Sequence, residues 1–306
     1  MEPEKKHLLI GAVAVAGALL LAVLSLLLLN RPADLVIGSK NFTESRLLAE
    51  IMAQAVERRL GITVKRRELG STGLCWDSLT KGAIHAYPEY TGTLLTDILK
   101  QSPLSDPQAA LEQVRTGLAD RRDLVLGRPF GLNDTYVLAM RQDEATKLGV
   151  TRISDLAQHP TLIAGFTSEF NQRPDGWPGL AKHYGLKLDR PPVDLSPGHM
   201  YQAVRDSQVA VISAFSTDAR LRQFGLLALS DDRRFFPAYE AVPVMRQDCL
   251  DRYPAIAGLW GELAGRIDDA TMTDLNQRVD LGGEAVATVA ASYLDSIKLT
   301  AVRQTP

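Results

Sequence analysis

From Asp34 onward the chain alternates short β-rich runs with amphipathic helical patterns, and that alternation limits the fold more than any other feature. DLVIGS (34–39) reads as a strand and KNFTES as a turn with a helix cap. RLLAEIMAQAVERRLG then reads as a helix, because Leu47, Leu48, Ile51, Met52, Ala55 and Val56 recur at helical spacing. Gly61 stands where a helix end favours glycine. ITVKRREL (62–69) reads as the next strand, GSTGLCWDSLTKG as a turn into a short helix, IHAYPE as a third strand and TGTLLTDILK as helical. A β-α-β-α-β-α order calls for an α/β sheet with helices on its faces.

A second alternating set begins near TYVLAM (135–140). It continues through helical RQDEATKLG and SDLAQH, strand TLIAG, helices GLAKHYG and HMYQAVRD, strand QVAVISA and helix TDARLRQFG. After FFPAYEAVPVMR (235–246) only helical patterns follow, and a stretch without strands must pack back onto an earlier unit. The simplest arrangement is two α/β lobes with the chain crossing between them near 133 and near 240. Lobe I then comprises residues 33–133 plus 241–306, and lobe II residues 134–240. Such a plan places a cleft at the strand ends, where open α/β sheets bind ligands.

Residues 1–32 read differently. Lys5 and Lys6 precede an uncharged, almost wholly apolar run over residues 8–29. As a helix it would rise roughly 33 Å, enough for a bilayer core of about 30 Å. LLLLNRPADL offers no small-x-small cleavage site and no lipobox cysteine follows, so the reading leans toward a retained N-terminal membrane anchor over a cleaved signal. The basic pair keeps the N-terminus in the cytoplasm and places the remainder on the periplasmic or extracytoplasmic face.

Composition excludes several classes. A net charge of −2 over 306 residues, with no basic patterning, leaves no footprint for nucleic acid. Cys75 and Cys249 are too far apart for a zinc motif; in an oxidising compartment they could pair. His7, His85, His159, His183 and His199 fall in no HExxH or Cys-adjacent spacing, and the chain has no GxSxG elbow, GxGxxG run or P-loop. No catalytic residue, metal ligand or cofactor is therefore expected, and the chain is not read as an enzyme.

Only 6% of the residues are aromatic, yet Tyr90 (YPEYTGT), Tyr136 (NDTYVLAM), Phe215 (VISAFSTD) and Tyr239 (FFPAYEAVP) all fall at predicted strand ends or flanking loops. Taken singly each is an ordinary packing residue; their shared position points to a ligand pocket. VIGSKNFTES, LGSTG, HAYPEYTGTLL, NDTYVLAM, FNQRPDGWPGL, AFSTDARL and FFPAYEAVP together resemble, in consistent order from about residue 34 to the C-terminus, the substrate-binding proteins of glycine betaine/carnitine/choline ABC transporters.

That resemblance implies a bilobal periplasmic-binding-protein fold of type II character. It also implies an aromatic cage for a quaternary ammonium group built from Tyr90, Tyr136, Phe215 and Tyr239. A quaternary ammonium has no N–H to donate, so ring faces recognise it, at about 0.5–2 kcal/mol per contact. For a ligand carboxylate the matching positions are Lys40, Thr93 and Arg173, and the backbone around Asp134 is expected against the ammonium methyls. Phe215 departs from the family's usual tyrosine; Tyr201 of GHMYQAV is a possible compensation, although its helical spacing favours core packing. The implied partners are a small quaternary ammonium ligand, an ABC permease with its ATPase, and the membrane through the N-terminal helix. The alternative is a membrane-tethered sensory domain of the same fold, distinguished by whether permease and ATPase genes lie beside its own.

Overall fold

The computed structural model describes residues 35–299; the anchor expected within residues 1–32 lies outside them. Among the described residues no helix is long and apolar enough to cross a membrane. Ten strands form two five-stranded sheets. They are β1 (Leu35–Lys40), β2 (Val64–Gly70), β3 (Ala86–Tyr90), β4 (Leu124–Leu126), β5 (Tyr136–Arg141), β6 (Ala164–Phe166), β7 (Val193–Asp194), β8 (Val211–Phe215), β9 (Leu226–Ala228) and β10 (Ala241–Arg246).

The first sheet has the order β2-β1-β3-β10-β4 and the second β7-β6-β8-β5-β9. In the first, β1 runs parallel to β2 and β3 because helices connect them, whereas β10 returns from the second sheet and pairs antiparallel with β3 and β4. β2 sits at an edge, and its exposed Lys65, Arg66, Arg67 and Glu68 suit a strand that must not recruit another chain. The chain passes from one sheet to the other between β4 and β5 and returns between β9 and β10; the two passages are bridged at Asn133 and Glu240.

The helix Thr43–Leu60 buries the stripe that its spacing announced, and it closes at Gly61, whose φ of 66° lets its N–H reach the Glu57 carbonyl. The strandless C-terminal stretch packs back on this helix. Arg58 meets Asp295 at 2.6 Å, and the Trp260 indole donates to the Met52 carbonyl at 3.1 Å. Cys75 and Cys249 are both free and buried, in different apolar clusters.

Several elements differ from the sequence reading. TGTLLTDILK is a short helical turn, Thr91–Thr93, running into a π-type turn, Leu94–Ile98. TDARLRQFG is helical only over Arg220–Gln223, and SDLAQH is a 3₁₀ turn. The short strands β4, β7 and β9 carry too few residues for alternation to register.

Candidate ligand-binding site

Strand ends converge on one cavity of about 510 Å³, within the range of roughly 300–1,000 Å³ usual for small-molecule sites. Lys40 ends β1, Tyr90 ends β3, Tyr136 begins β5 and Phe215 ends β8. All eight residues singled out from the sequence line it: Tyr90, Tyr136, Phe215, Tyr239, Lys40, Thr93, Asp134 and Arg173. Tyr201 does not; it is buried behind the second sheet with Met200, Val204 and Ile212.

Register explains how the rings meet. Tyr136 lies directly opposite Phe215 in the antiparallel β5–β8 ladder, so their ring centroids are 5.0 Å apart. Tyr239 stands edge-on to Tyr136 at 5.6 Å and 86°. Tyr239 is held from the other side by the Thr-Gly-Thr turn: a Cβ on Gly92 would lie 2.7 Å from the Tyr239 ring and 2.8 Å from the Ala238 carbonyl oxygen, so only glycine fits.

Phe42 is the ring that sequence reasoning missed. It stacks on Phe215 at 5.4 Å and 16° and lies 6.2 Å from Tyr90, joining the first-sheet ring to the second-sheet rings. The signal was present, since Phe42 follows β1 as Tyr90 ends β3, but KNFTES read first as a helix cap. Phe42 does occupy the N-cap position, with extended backbone and no side-chain capping bond. Its side chain is thus left to face the cavity.

The charged wall is as organised as the aromatic one. Lys40 is buried and donates to Glu89 at 2.6 Å, with its ammonium 5.4 Å from the Tyr90 ring centroid. Glu89 is fully buried, and burial, ahead of the opposing attraction of Lys40, pushes its carboxyl above the ordinary range. Arg173 grips Asp175 through Nε at 2.8 Å and Nη2 at 2.5 Å, a bidentate fork. Its Nη2 also reaches Thr93 at 3.2 Å, and Nη1 reaches Glu169 at 3.3 Å and Thr72 at 3.5 Å, so every donor of the guanidinium is engaged.

Burial, the largest influence, would raise the Asp175 carboxyl, but the Arg173 charge together with the hydrogen bonds from Arg173 and Tyr239 holds the group below its usual range. Glu169 behaves likewise, burial being outweighed by Lys40 and then Arg173. Both acids are thus ionised beside Arg173. The Tyr239 hydroxyl donates to Asp175 at 2.7 Å, tying one ring of the aromatic wall to the ion-paired wall. None of these acids was named from the sequence, because a carboxylate two or four residues from an arginine reads as a solvated surface pair.

Asp134 turns its carboxylate away from a free role: it accepts from the Thr217 amide at 3.1 Å and the Ser216 hydroxyl at 3.3 Å, while its own N–H donates to the Tyr239 carbonyl. It therefore fixes the first crossing between sheets. The arrangement offers ring faces to a cation, ion-paired hydrogen-bonding groups beside them, and, among the described residues, no cluster that could hold a metal ion.

Sequence and structural comparisons agree with this geometry. Residues 33–296 match the family model described as the substrate binding domain of ABC-type glycine betaine transport systems. The chain is 35% identical to a glycine-betaine-binding protein of Pseudomonas aeruginosa, covering 87% of this chain and 88% of that one. It is 30% identical to the glycine betaine-binding protein YehZ of Escherichia coli, over 91% and 95% of the two chains. The crystal structure of a glycine betaine/carnitine/choline ABC transporter protein superposes with a TM-score of 0.71 at 28% identity, covering 87% of this chain and 99% of that chain. With the two-sheet architecture and a ring-lined cavity between the sheets, these matches establish that the chain belongs to the substrate-binding domain family of ABC-type glycine betaine transport systems.

Proposed function

We propose that this chain captures a quaternary ammonium osmolyte of the glycine betaine, choline and carnitine class and delivers it to an ABC permease worked by its ATPase. The observation that carries the reading is the convergence of Tyr90, Phe42, Phe215, Tyr136 and Tyr239 around one cavity. Ring faces attract a methylated cation and lose little on being desolvated, whereas a carboxylate in their place would carry a large desolvation cost. The names of the relatives support the same ligand class. No turnover is expected of the site; its task is to bind and release.

In this reading Tyr90, Tyr136, Phe215 and Tyr239 hold the ammonium, with Asp134 placing the crossing backbone against its methyl groups. Lys40, Thr93 and Arg173 take the polar end of the ligand. Because Arg173 is already forked to Asp175, a ligand carboxylate would exchange for its longer contacts to Thr72 or Thr93, leaving the fork intact. Residues 33–133 plus 241–306 act as one lobe and 134–240 as the other. Closure over the ligand is favoured by contacts available only when the lobes meet, and a permease reads that closed form. Residues 1–32, as signal or anchor, would keep this work at the extracytoplasmic face of the membrane.

Isothermal titration with glycine betaine, choline, carnitine and proline betaine tests the reading. Saturable binding of at least one is expected; absence of heat with all four at millimolar concentration would count against it.

A further inference from the structure

Beyond the Tyr90 hydroxyl lies a buried polar cluster whose central carboxyl, Glu44, does not line the cavity and is left unused by the capture scheme above. Glu44, from the first turn of the helix Thr43–Leu60, is only 3% exposed. Its Oε1 accepts the Tyr90 hydroxyl at 2.7 Å. Its Oε2 accepts the Thr217 hydroxyl at 2.7 Å, from the segment just beyond β8 of the second sheet, and the Asn276 amide at 3.4 Å. The same Thr217 donates its backbone N–H to Asp134 at the sheet-to-sheet crossing. One carboxyl thus touches a cage ring, the opposite sheet and the crossing.

We propose that Glu44 is a positioning residue for ligand capture: it clamps Tyr90 by its hydroxyl and carries that clamp across to Thr217, so that ring placement and closure become one event. The inference rests on the ligand class proposed above. Phe42 at 6.2 Å and the Lys40 ammonium at 5.4 Å meet the Tyr90 ring itself, while the bond to Glu44 fixes where its hydroxyl end points and so the orientation in which the ring meets a cation. The clamp is complete only when the sheets are together, since Thr217 and Glu44 belong to opposite sides.

Protonation gives this clamp a signature. Glu44 and Asp134 stand against each other; burial, ahead of the hydrogen bonds that oppose it, raises the Glu44 carboxyl, and burial followed by the Glu44 charge raises Asp134 well above its ordinary value. The other charged groups facing the cluster are Asp218, Arg220 and Asp280, with Arg220 paired to Asp218 at 2.5 Å and 3.6 Å from Asp280. Tyr201 completes the ring of titratable groups. In the closed form the carboxyl pair retains a proton that separated, hydrated carboxylates release. Closure therefore takes up a proton: its full strength is present below the ordinary carboxylate range and is lost as pH rises through the raised closed-form value.

The test compares wild type, Glu44→Ala, Glu44→Gln and Thr217→Val by titration with glycine betaine and choline at about pH 5 and pH 8. Wild type is expected to bind several-fold more weakly at the higher pH. Glu44→Gln, which removes one of the two facing carboxyls and leaves Asp134 to titrate, should bind with a smaller pH dependence than wild type, and Glu44→Ala about tenfold or more weakly at both. Thr217→Val should weaken binding several-fold without lowering the melting temperature. Small-angle scattering of the unliganded proteins at both pH values reads closure without any ligand: wild type should be more compact at the lower pH and Glu44→Ala equally extended at both. A wild type whose affinity and radius ignore pH, with Glu44→Ala indistinguishable from it, overturns the inference. Absence of binding by wild type to either ligand would instead strike the ligand class, and the scattering would still decide the clamp.

Discussion

Along one part of the cavity wall Phe42, Phe215, Tyr136 and Tyr239 meet ring to ring, whereas along the adjoining part Lys40 and Arg173 each stand against a buried acid. One ring can be exchanged for another at modest cost, because each ring contact is worth about 0.5–1.5 kcal/mol beyond burial and the exchange leaves no charge unpaired. The ion-paired wall has no such tolerance. Removing one partner of a buried pair strands the other, at roughly 3–5 kcal/mol, far more than the pair adds when intact. Under the proposed function, the aromatic wall is therefore where ligand preference can drift, and the charged wall is where a closed geometry would be enforced.

The largest expected effect comes from breaking that enforcement. Arg173→Ala leaves Asp175, 1% exposed, without its cation, leaves Glu169 only Lys40, and cuts the links to Thr93 and Thr72 beside the first sheet. A loss of about 3–5 kcal/mol in unfolding free energy is expected by denaturant titration, together with loss of ligand binding. If Arg173→Ala unfolds at the wild-type midpoint, the two walls do not differ as described. Phe42→Ala is the matching cut on the aromatic side. It should weaken binding about tenfold while costing the fold less than Arg173→Ala does, since Phe42 is already partly exposed. An affinity equal to wild type would remove Phe42 from the cage.

Between the walls sits Gly92. A methyl there collides with both the Tyr239 ring and the Ala238 carbonyl, and the carbonyl cannot swing aside as a side chain would. Gly92→Ala should displace Tyr239 from both Tyr136 and Asp175, weakening binding several-fold with a smaller loss of stability than the arginine variant. An unchanged affinity would mean that Tyr239 does not need the position the glycine grants it.

How much of this was legible in the sequence follows from the kind of signal each part emits. The helix Thr43–Leu60 announces itself through its spacing and the strands β1, β3, β5 and β8 as short β-rich runs, and the strand-end criterion singled out Tyr90, Tyr136 and Phe215 without coordinates. The same criterion applies to Phe42, yet its neighbours spelled a helix cap and the cap reading took precedence. Asp175, Glu169 and Glu89 were hidden for a different reason. A carboxylate announces nothing about its burial; only the folded chain reveals that Glu89 has no exposed surface and that Asp175 receives both an arginine fork and a tyrosine hydroxyl. β4 and β9, three residues each, are strands only because β10 and β5 offer them an edge, so no local pattern could have specified them.

Phe215→Tyr should give the smallest effect and sharpen the comparison most. The ring keeps its place opposite Tyr136 in the β5–β8 ladder and its stack on Phe42, because both depend on the backbone register and the ring face, which the substitution leaves alone. What changes is one hydroxyl at the ring edge. If the aromatic wall acts through its faces, affinity for glycine betaine and choline should shift by no more than about threefold and in the same sense for both, since ring quadrupoles of phenylalanine and tyrosine are similar. If the two affinities move in opposite directions, the missing hydroxyl is reading the far end of the ligand. Selectivity would then reside at Phe215, on the wall assigned here to the cation.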